Sequence, residues 1–272
     1  MYTEISLTNL RENKLPHIWC AGCGNGIVLG AILRAIERSK IDKDKIVFVS
    51  GIGCAGRSSG YVNFNTLHTL HGRPLAFATG IKLANPDLHV IVATGDGDLA
   101  AIGGNHFIHA AKRNIDMTVI VFNNFTYGMT GGQVSPTTPD NAYTTTTPFG
   151  VTEEPMDISY LAVSSGATYV ARETIASPFI LEKYILNGLL HKGFSLIEAV
   201  SSCVTEFGRR NNLEDPASYI KWLREKSISY SKTNRISVKG GIVVGEFVNL
   251  EGEEFTDKYY KLIQKVSHEK RD

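Results

Sequence analysis

The chain of 272 residues has few of the features that mark membrane, secreted or strongly charged proteins. No apolar run approaches the roughly 18 to 20 residues that a membrane helix needs. Residues 1–7 lack the basic-then-apolar pattern of a secretory signal. The formal net charge is only +1, which gives no reason to expect nucleic acid or an anionic membrane as a partner. These absences predict a cytoplasmic protein with reduced cysteines.

Cysteine is also scarce, since the chain has only Cys20, Cys23, Cys54 and Cys203. In a reducing compartment such a set is poor evidence for disulfides and better evidence for a metal site. Four thiolates suit either zinc or a [4Fe–4S] cluster, and the spacing does not decide between them. Buried core cysteines, or a redox role for the close pair Cys20 and Cys23, are the alternatives.

Short β-branched runs alternate with amphipathic stretches along most of the chain. Near-continuous apolar segments at 45–50, 89–94 and 117–122 are typical of parallel strands covered on both faces. Helical patterns separate these segments, and the alternation continues to a further strand at 195–200. The pattern predicts an α/β fold with a doubly wound, mostly parallel sheet.

The alternation weakens after Val204. We therefore expect residues 1–210 to form the α/β domain and residues 211–272 to form a C-terminal extension, packed on the same domain or on a partner subunit. The stretch at 123–152 is rich in Gly, Thr, Pro and Asn and is long for a plain connection. Loops of this length in compact domains are usually functional.

The most informative motif is Gly95-Asp96-Gly97-Asp98, which directly follows a predicted strand. Twenty-five residues lie between Gly97 and the pair Asn123-Asn124, which follows the next predicted strand. In a parallel sheet both segments lie at the carboxyl edge, where α/β proteins bind ligands. Carboxylate and amide oxygens suit Mg²⁺ together with phosphate oxygens, and the glycines let the backbone approach a diphosphate.

Gly-Asp-Gly followed at this distance by Asn-Asn resembles the signature of thiamine-diphosphate enzymes. The resemblance implies a thiamine-diphosphate-binding fold, with Mg²⁺ held by Asp96, Asn124 and the carbonyl of Thr126. Over about residues 16 to 205 the chain further resembles the β subunit of 2-oxoacid:ferredoxin oxidoreductases. The segments that carry this resemblance are 19–24, 52–54, 71–73, 78–82, 95–98, 123–124 and 127–133, together with the late Cys203.

The family resemblance implies that Cys20, Cys23, Cys54 and Cys203 bind a [4Fe–4S] cluster. It also implies a reaction: the thiamine carbanion attacks a 2-oxoacid, CO₂ leaves, electrons pass through the cluster to ferredoxin, and coenzyme A takes the acyl group. The reaction is reversible as a reductive carboxylation. The activating Glu is expected on a partner α subunit, so no catalytic residue is assigned here and the enzyme is expected to be a heterodimer or a dimer of heterodimers.

Candidate cofactor-binding residues surround these motifs: Ile52, Gly53, Cys54, His71, Gly95, Asp96, Gly97, Asp98, Asn124, Thr126, Tyr127, Gly128, Met129 and Thr130. Arg57 and Met129 are the candidates for substrate specificity, because Arg57 follows Cys54 closely and a guanidinium pairs bidentately with a distal carboxylate. Such a pairing favours 2-oxoglutarate, which the segment 127–133 also favours by resemblance. The alternatives are pyruvate as the substrate, a non-redox thiamine enzyme, or a zinc-stabilised binding protein without catalysis.

Overall fold

The computed structural model describes residues 8–269, so the patterns noted at residues 1–7 lie outside the described part. The chain forms one mixed sheet, and its strands are β1 (Ile46–Ser50), β2 (Asn65–His68), β3 (His89–Gly95), β4 (Met117–Asn123), β5 (Tyr169–Thr174), β6 (Phe194–Val200), β7 (Ser227–Ser229) and β8 (Ile242–Asn249). Their order across the sheet is β2-β1-β3-β4-β6-β5-β8-β7. The predicted α/β fold with a mostly parallel, doubly wound sheet is confirmed.

The six strands from β1 to β6 are all parallel to one another. Their carboxyl ends therefore meet at one edge of the sheet, and the loops that follow β1, β3, β4 and β6 are brought together there. β8 reverses this pattern because it pairs antiparallel with β5, while β7 pairs parallel with β8.

Helices cover both faces of the sheet. They are α1 (Asn25–Ser39), α2 (Ser58–Tyr61), α3 (Pro74–Ala84), α4 (Gly104–Lys112), α5 (Ile158–Ser164), α6 (Pro178–Leu190), α7 (Pro216–Lys226), α8 (Tyr230–Thr233) and α9 (Phe255–Glu269). None of the helices among the described residues is both long and apolar enough to span a bilayer.

The sheet separates two apolar layers. On one face α1, α6 and α7 bury side chains such as Ile32, Leu181 and Leu223 against the strands. On the other face α3, α4 and α5 contribute residues such as Leu75 and Phe107. β4 and β6 are buried along their whole length, as their mostly apolar sequences indicate.

Arg172 on β5 links the C-terminal extension to the sheet through hydrogen bonds. Its guanidinium donates to the carbonyls of Ile236 and Val243 at 3.2 Å, and it pairs with Glu198 at 2.7 Å and with Asp157. The extension therefore contacts the α/β domain directly. The division of the chain at residue 210 stays a prediction.

Candidate active site

Asp96 and Asn124 lie beside each other at the carboxyl edge, because β3 and β4 are neighbours in the sheet. Both side chains are buried, as is Thr126. An Asp96 carboxylate oxygen accepts a hydrogen bond at 2.7 Å from Thr137 in the long loop, and the Thr137 hydroxyl also contacts the amide oxygen of Asn123 at 2.9 Å. The loop at 123–152 thus folds back over the motif that begins it.

Burial raises the pKa of Asp96 above its usual range, and hydrogen bonds from the hydroxyls of Ser135 and Thr137 oppose part of this rise. No ion pair to Asp96 is formed within residues 8–269. A buried carboxylate without a cationic partner is unfavourable in a folded protein. A divalent cation would supply the missing charge, so these residues fit the magnesium that the sequence motif implies.

Phe125 shapes the turn between the two other proposed magnesium ligands. Its φ is +63°, in the left-handed region that non-glycine residues rarely occupy. The turn is held because the Thr138 hydroxyl donates to the Phe125 carbonyl at 2.8 Å, and because the Thr126 amide donates to the Asn124 side-chain oxygen at 3.3 Å. Strained residues of this kind persist where the surroundings determine them, often at functional sites.

Asp98 organises two further loops. One of its carboxylate oxygens accepts from the Gly72 amide and lies 2.7 Å from Nδ1 of His71, and it also receives the Ile52 amide at 3.4 Å. The other oxygen accepts from the Thr94 hydroxyl at 2.7 Å. Asp98 therefore fixes the His71 ring and joins the loops after β1 and β2 to the glycine motif.

Tyr127 lies directly over Gly97. A Cβ added to Gly97 would be 2.2 Å from the ring, and the Tyr127 hydroxyl approaches the Gly97 carbonyl at 3.4 Å. The same ring packs edge-on against His71, with centroids 6.2 Å apart. The predicted segments Gly95–Asp98 and Tyr127–Thr130 are thus brought together, and Met129, about half exposed, lies at the rim.

Thr130 belongs to the same turn. Its hydroxyl donates to the Gln133 side-chain oxygen at 2.5 Å, and the Gln133 amide donates back to the Thr130 carbonyl at 2.8 Å. Gly132, with a φ of +87°, approaches the ion pair between Glu206 and Arg210 so closely that a Cβ would not fit. This turn is therefore held by internal contacts and by the segment that follows Cys203.

The four cysteines converge beside this turn. A Cβ on Gly128 would be 3.3 Å from Sγ of Cys203 and 3.7 Å from Sγ of Cys54, so the two sulfurs lie within about 7 Å of each other. The Thr205 hydroxyl donates to Sγ of Cys20 at 3.6 Å and lies 3.8 Å from Sγ of Cys203. Cys203 is buried, Cys23 and Cys54 are partly exposed, and Cys20 is exposed.

The thiols influence one another electrostatically. Burial raises the pKa of Cys23 to about 12, and the charges of Cys203, Cys54 and Cys20 add to the rise. Burial likewise raises the pKa of Cys54 to about 11, with Cys203 and Cys20 contributing. Within the described residues no three His, Cys, Asp or Glu side chains are arranged to hold a single metal ion. The mutual electrostatic effects nevertheless show that the four thiols lie near one another.

The segment around Cys54 carries two exposed side chains, Ile52 and Arg57. Arg57 is exposed at the end of a short 3₁₀ turn (Ala55–Arg57) and makes no ion pair within the described part of the chain. Ile52 is also exposed, and Gly53 has a φ of +124°, which favours glycine. The indole of Trp19 donates to the Cys54 carbonyl at 2.7 Å and so ties the first cysteine segment to the second.

Comparison with known proteins identifies the family. Residues 51–199 match the thiamine pyrophosphate enzyme family, C-terminal TPP binding domain. The 2-oxoglutarate synthase subunit KorB of Methanocaldococcus jannaschii is 54% identical over 97% of this chain and 99% of its own length. The β subunit of 2-oxoacid:ferredoxin oxidoreductase 1 from Aeropyrum pernix is 40% identical over 77% of this chain and 69% of its own length.

The chain belongs to the family of 2-oxoacid:ferredoxin oxidoreductase β subunits. A solved structure agrees with this assignment: 2-oxoglutarate:ferredoxin oxidoreductase from Magnetococcus marinus, with 2-oxoglutarate, coenzyme A and succinyl-CoA bound, matches with a TM-score of 0.86 and 32% identity. The match covers 96% of this chain and 90% of that chain. The chain is therefore a subunit of an oxidoreductase enzyme complex. The family membership also confirms the resemblance that the sequence motifs indicate.

Some residues of this β-subunit site carry no local sequence signal. Thr137 lies 41 positions from Asp96, and only the folding of the long loop brings them together. Thr205 and Tyr219 lie near the thiols without belonging to any recognisable motif. The one available hint was the length and composition of 123–152, which predicts a functional loop but not its contacts.

Proposed function

We propose that this chain is the thiamine-diphosphate- and iron–sulfur-binding β subunit of a 2-oxoglutarate:ferredoxin oxidoreductase. The observation that carries the proposal is the convergence, at one sheet edge, of a buried carboxylate without a cation and four cysteine thiols. The two groups share the turn at 127–130, because Gly128 lies against two of the sulfurs while Tyr127 covers Gly97. The family membership and the relatives' names support the same reading.

In this proposal Asp96, Asn124 and the Thr126 carbonyl hold Mg²⁺, which binds the cofactor's diphosphate. Thiamine diphosphate, when bound, supplies an electron sink for decarboxylation of a 2-oxoacid. The chain's own contribution would be positional: Tyr127 and the glycines of 95–97 would shape the pocket, and Asp98 holds the His71 ring against Tyr127. Ile52, Gly53, Met129 and Thr130 are proposed as further contacts of the cofactor.

A [4Fe–4S] cluster is proposed over zinc because the relatives include ferredoxin-linked oxidoreductase subunits. Four thiolates suit either centre. The glycine at position 128 leaves room beside the sulfurs of Cys54 and Cys203. Family membership in an enzyme complex also argues against the zinc-stabilised, non-catalytic alternative.

An α subunit is expected to cover the site. Several apolar side chains at the carboxyl edge are exposed, a clustering that is typical of interaction surfaces. They are Ile52, Leu70, Ile102 and Met129. The activating Glu is expected on this partner, ferredoxin is proposed as the electron acceptor, and coenzyme A as the acyl acceptor, in a heterodimer or a dimer of heterodimers.

The proposed substrate is 2-oxoglutarate, with pyruvate as the alternative. Arg57 is exposed, lacks an ionic partner in the described chain and stands three residues after Cys54. It is thus available to pair with the distal carboxylate that pyruvate lacks. Arg57→Ala should therefore raise the KM for 2-oxoglutarate at least tenfold while leaving that for pyruvate unchanged. Arg209→Ala, at an exposed position after Cys203, is the control, and equal effects on both substrates would contradict the assignment.

The first experiment tests the proposed thiamine-diphosphate site and the proposed iron–sulfur site separately. The chain is co-expressed with its partner, purified anaerobically, and assayed for iron, sulfide, thiamine diphosphate and 2-oxoglutarate-dependent viologen reduction. We expect about four irons per chain. Asp96→Ala should lose thiamine diphosphate and keep its iron, whereas Cys23→Ser should lose iron. The exposed Asp87→Ala serves as the control. A wild-type complex that holds only zinc, or no metal, would refute the proposal.

A further inference from the structure

Tyr219 is a fully buried side chain that lies outside both the matched family domain and the cysteine motifs. It belongs to α7, in the part of the chain after Cys203. Its ring packs against Phe207 and Trp222, with centroids 6.2 and 5.7 Å away. These contacts fix the ring, and with it the direction of the hydroxyl.

Within the described residues the Tyr219 hydroxyl forms no hydrogen bond of ordinary geometry. It is one of five buried side-chain polar atoms in the described residues without one, the others being Asn25 Nδ2, Thr174 Oγ1, Ser195 Oγ and Thr256 Oγ1. Native proteins seldom leave such groups unsatisfied, and each exception calls for an explanation such as an ion or cofactor. Asn25, a second member of this group, lies two residues after Cys23, so two of the five are near the thiols.

The surroundings of the hydroxyl indicate what satisfies it. Tyr219 belongs to the same buried apolar cluster as Cys203, and Cys23 packs against that cluster. Burial raises the pKa of Tyr219 well above its usual value, and negative charge on Cys203, Asp96 and Cys23 acts in the same direction. The backbone amide of Cys203 opposes this rise in part, but an N–H group only donates. The phenol proton is therefore still without an acceptor among the described residues, and two of its neighbours, Cys203 and Cys23, are proposed cluster ligands.

We propose that the Tyr219 hydroxyl donates a hydrogen bond to a sulfur of the iron–sulfur cluster and thereby raises the cluster's reduction potential. The inference rests on the proposed function. Hydrogen bonds to the sulfurs are among the factors that set such potentials. The reduced cluster carries one more negative charge than the oxidised cluster, so a donor stabilises the reduced state more. The C-terminal extension would thus supply a group that tunes electron transfer.

Tyr219→Phe removes this oxygen with little change of shape. The variant is produced as the complete complex and titrated anaerobically, with the reduced cluster followed by electron paramagnetic resonance. We expect unchanged iron, sulfide and thiamine diphosphate contents. At the wild-type midpoint, the ratio of reduced to oxidised cluster should fall roughly three- to tenfold; tenfold corresponds to a 59 mV shift for one electron.

Tyr169→Phe is the matched control. Tyr169 is equally buried, but it opens β5 at the opposite sheet edge, where its hydroxyl donates to Glu246 at 3.0 Å. Its removal should leave the potential unchanged and lower the melting temperature of the cluster-free chain. Tyr219→Phe should not lower that temperature, since its hydroxyl has no partner to lose.

Two results would overturn the inference. One is a Tyr219→Phe complex with a full cluster and the wild-type potential, as expected if the hydroxyl binds only a trapped water. The other is loss of iron from this variant alone, which would make the hydroxyl a requirement for assembly and not for tuning. A wild-type complex without iron would instead refute the proposed function, so the two failures are distinguishable.

Discussion

Glu173 on β5 is buried and has no cationic partner among residues 8–269, and this makes the protein's stability depend on pH. Only 4% of the residue is exposed, and one carboxylate oxygen accepts from the Thr174 amide at 2.9 Å. Burial raises the pKa of Glu173 from 4.5 to about 7, against a smaller opposing effect of that hydrogen bond. Between these values the folded chain holds a proton that the unfolded chain has lost.

The sign and size of the effect follow directly. Because the folded state binds more protons in this range, the free energy of unfolding falls as the pH rises from about 4.5 to about 7. Each pKa unit corresponds to 1.36 kcal/mol, so the loss approaches about 3 kcal/mol above pH 7. Glu173→Gln is neutral at every pH, and its free energy of unfolding should exceed that of the wild type by up to about 3 kcal/mol at pH 8 and match it near pH 4.5.

Urea unfolding of the cofactor-free chain at a series of pH values measures this difference. Glu182→Gln is a control for which the free energy of unfolding should change in the opposite direction. Burial alone would raise the pKa of Glu182, but hydrogen bonds from Arg38 and Arg34, at 2.8 and 2.7 Å, lower it overall. That variant should be less stable than the wild type at pH 8, and the difference should shrink on acidification. A Glu173→Gln difference that stays constant from pH 5 to 8 would refute the reasoning.

Two further predictions concern packing and the extension. Gly97→Ala places a Cβ 2.2 Å from the Tyr127 ring and should weaken Mg²⁺–thiamine diphosphate binding at least tenfold by calorimetry, whereas Gly104→Ala, where a Cβ meets nothing within 4 Å, should bind as the wild type does. Arg172→Met leaves the carboxylates of Glu198 and Asp157 without their buried partner and should lower the free energy of unfolding by about 3 to 5 kcal/mol. The exposed Arg209→Met should change that free energy by less than about 0.5 kcal/mol in the same urea titration.

The central strands could be predicted from the sequence because burial on both faces leaves a strong apolar signal. The runs at 89–94 and 117–122 correspond to β3 and β4 within one residue. β2 was missed, since Asn65–His68 is a four-residue edge strand without a buried side chain and therefore without an apolar run. The antiparallel direction of β8 could not be foreseen either, because an apolar run does not encode which way a strand lies.

The residues of the candidate site likewise differ in how far the sequence predicts them. Asp96 and Asn124 stand out because their residue types suit Mg²⁺ and both directly follow strands, and because their spacing resembles that of thiamine-diphosphate enzymes; their role as metal ligands stays a prediction. The left-handed Phe125 and the contact of Thr137 with Asp96 depend on how the long loop closes, and that closure is a tertiary event without local signal. Tyr219 could not be predicted for another reason. A buried aromatic residue on a helix gives the same sequence pattern whether or not its hydroxyl contacts a ligand.

The pairing of β8 with β5 leaves one edge of the parallel sheet uncovered until late in synthesis. All the proposed metal and cluster ligands have been made once Cys203 is translated, yet the outer edge of β5 stays bare until residues 242–249 follow. An uncovered strand edge is a template for pairing with other chains. The nascent chain thus carries all the proposed ligands and an aggregation-prone edge at the same time, so chaperone protection matters most while residues 204–249 are being made.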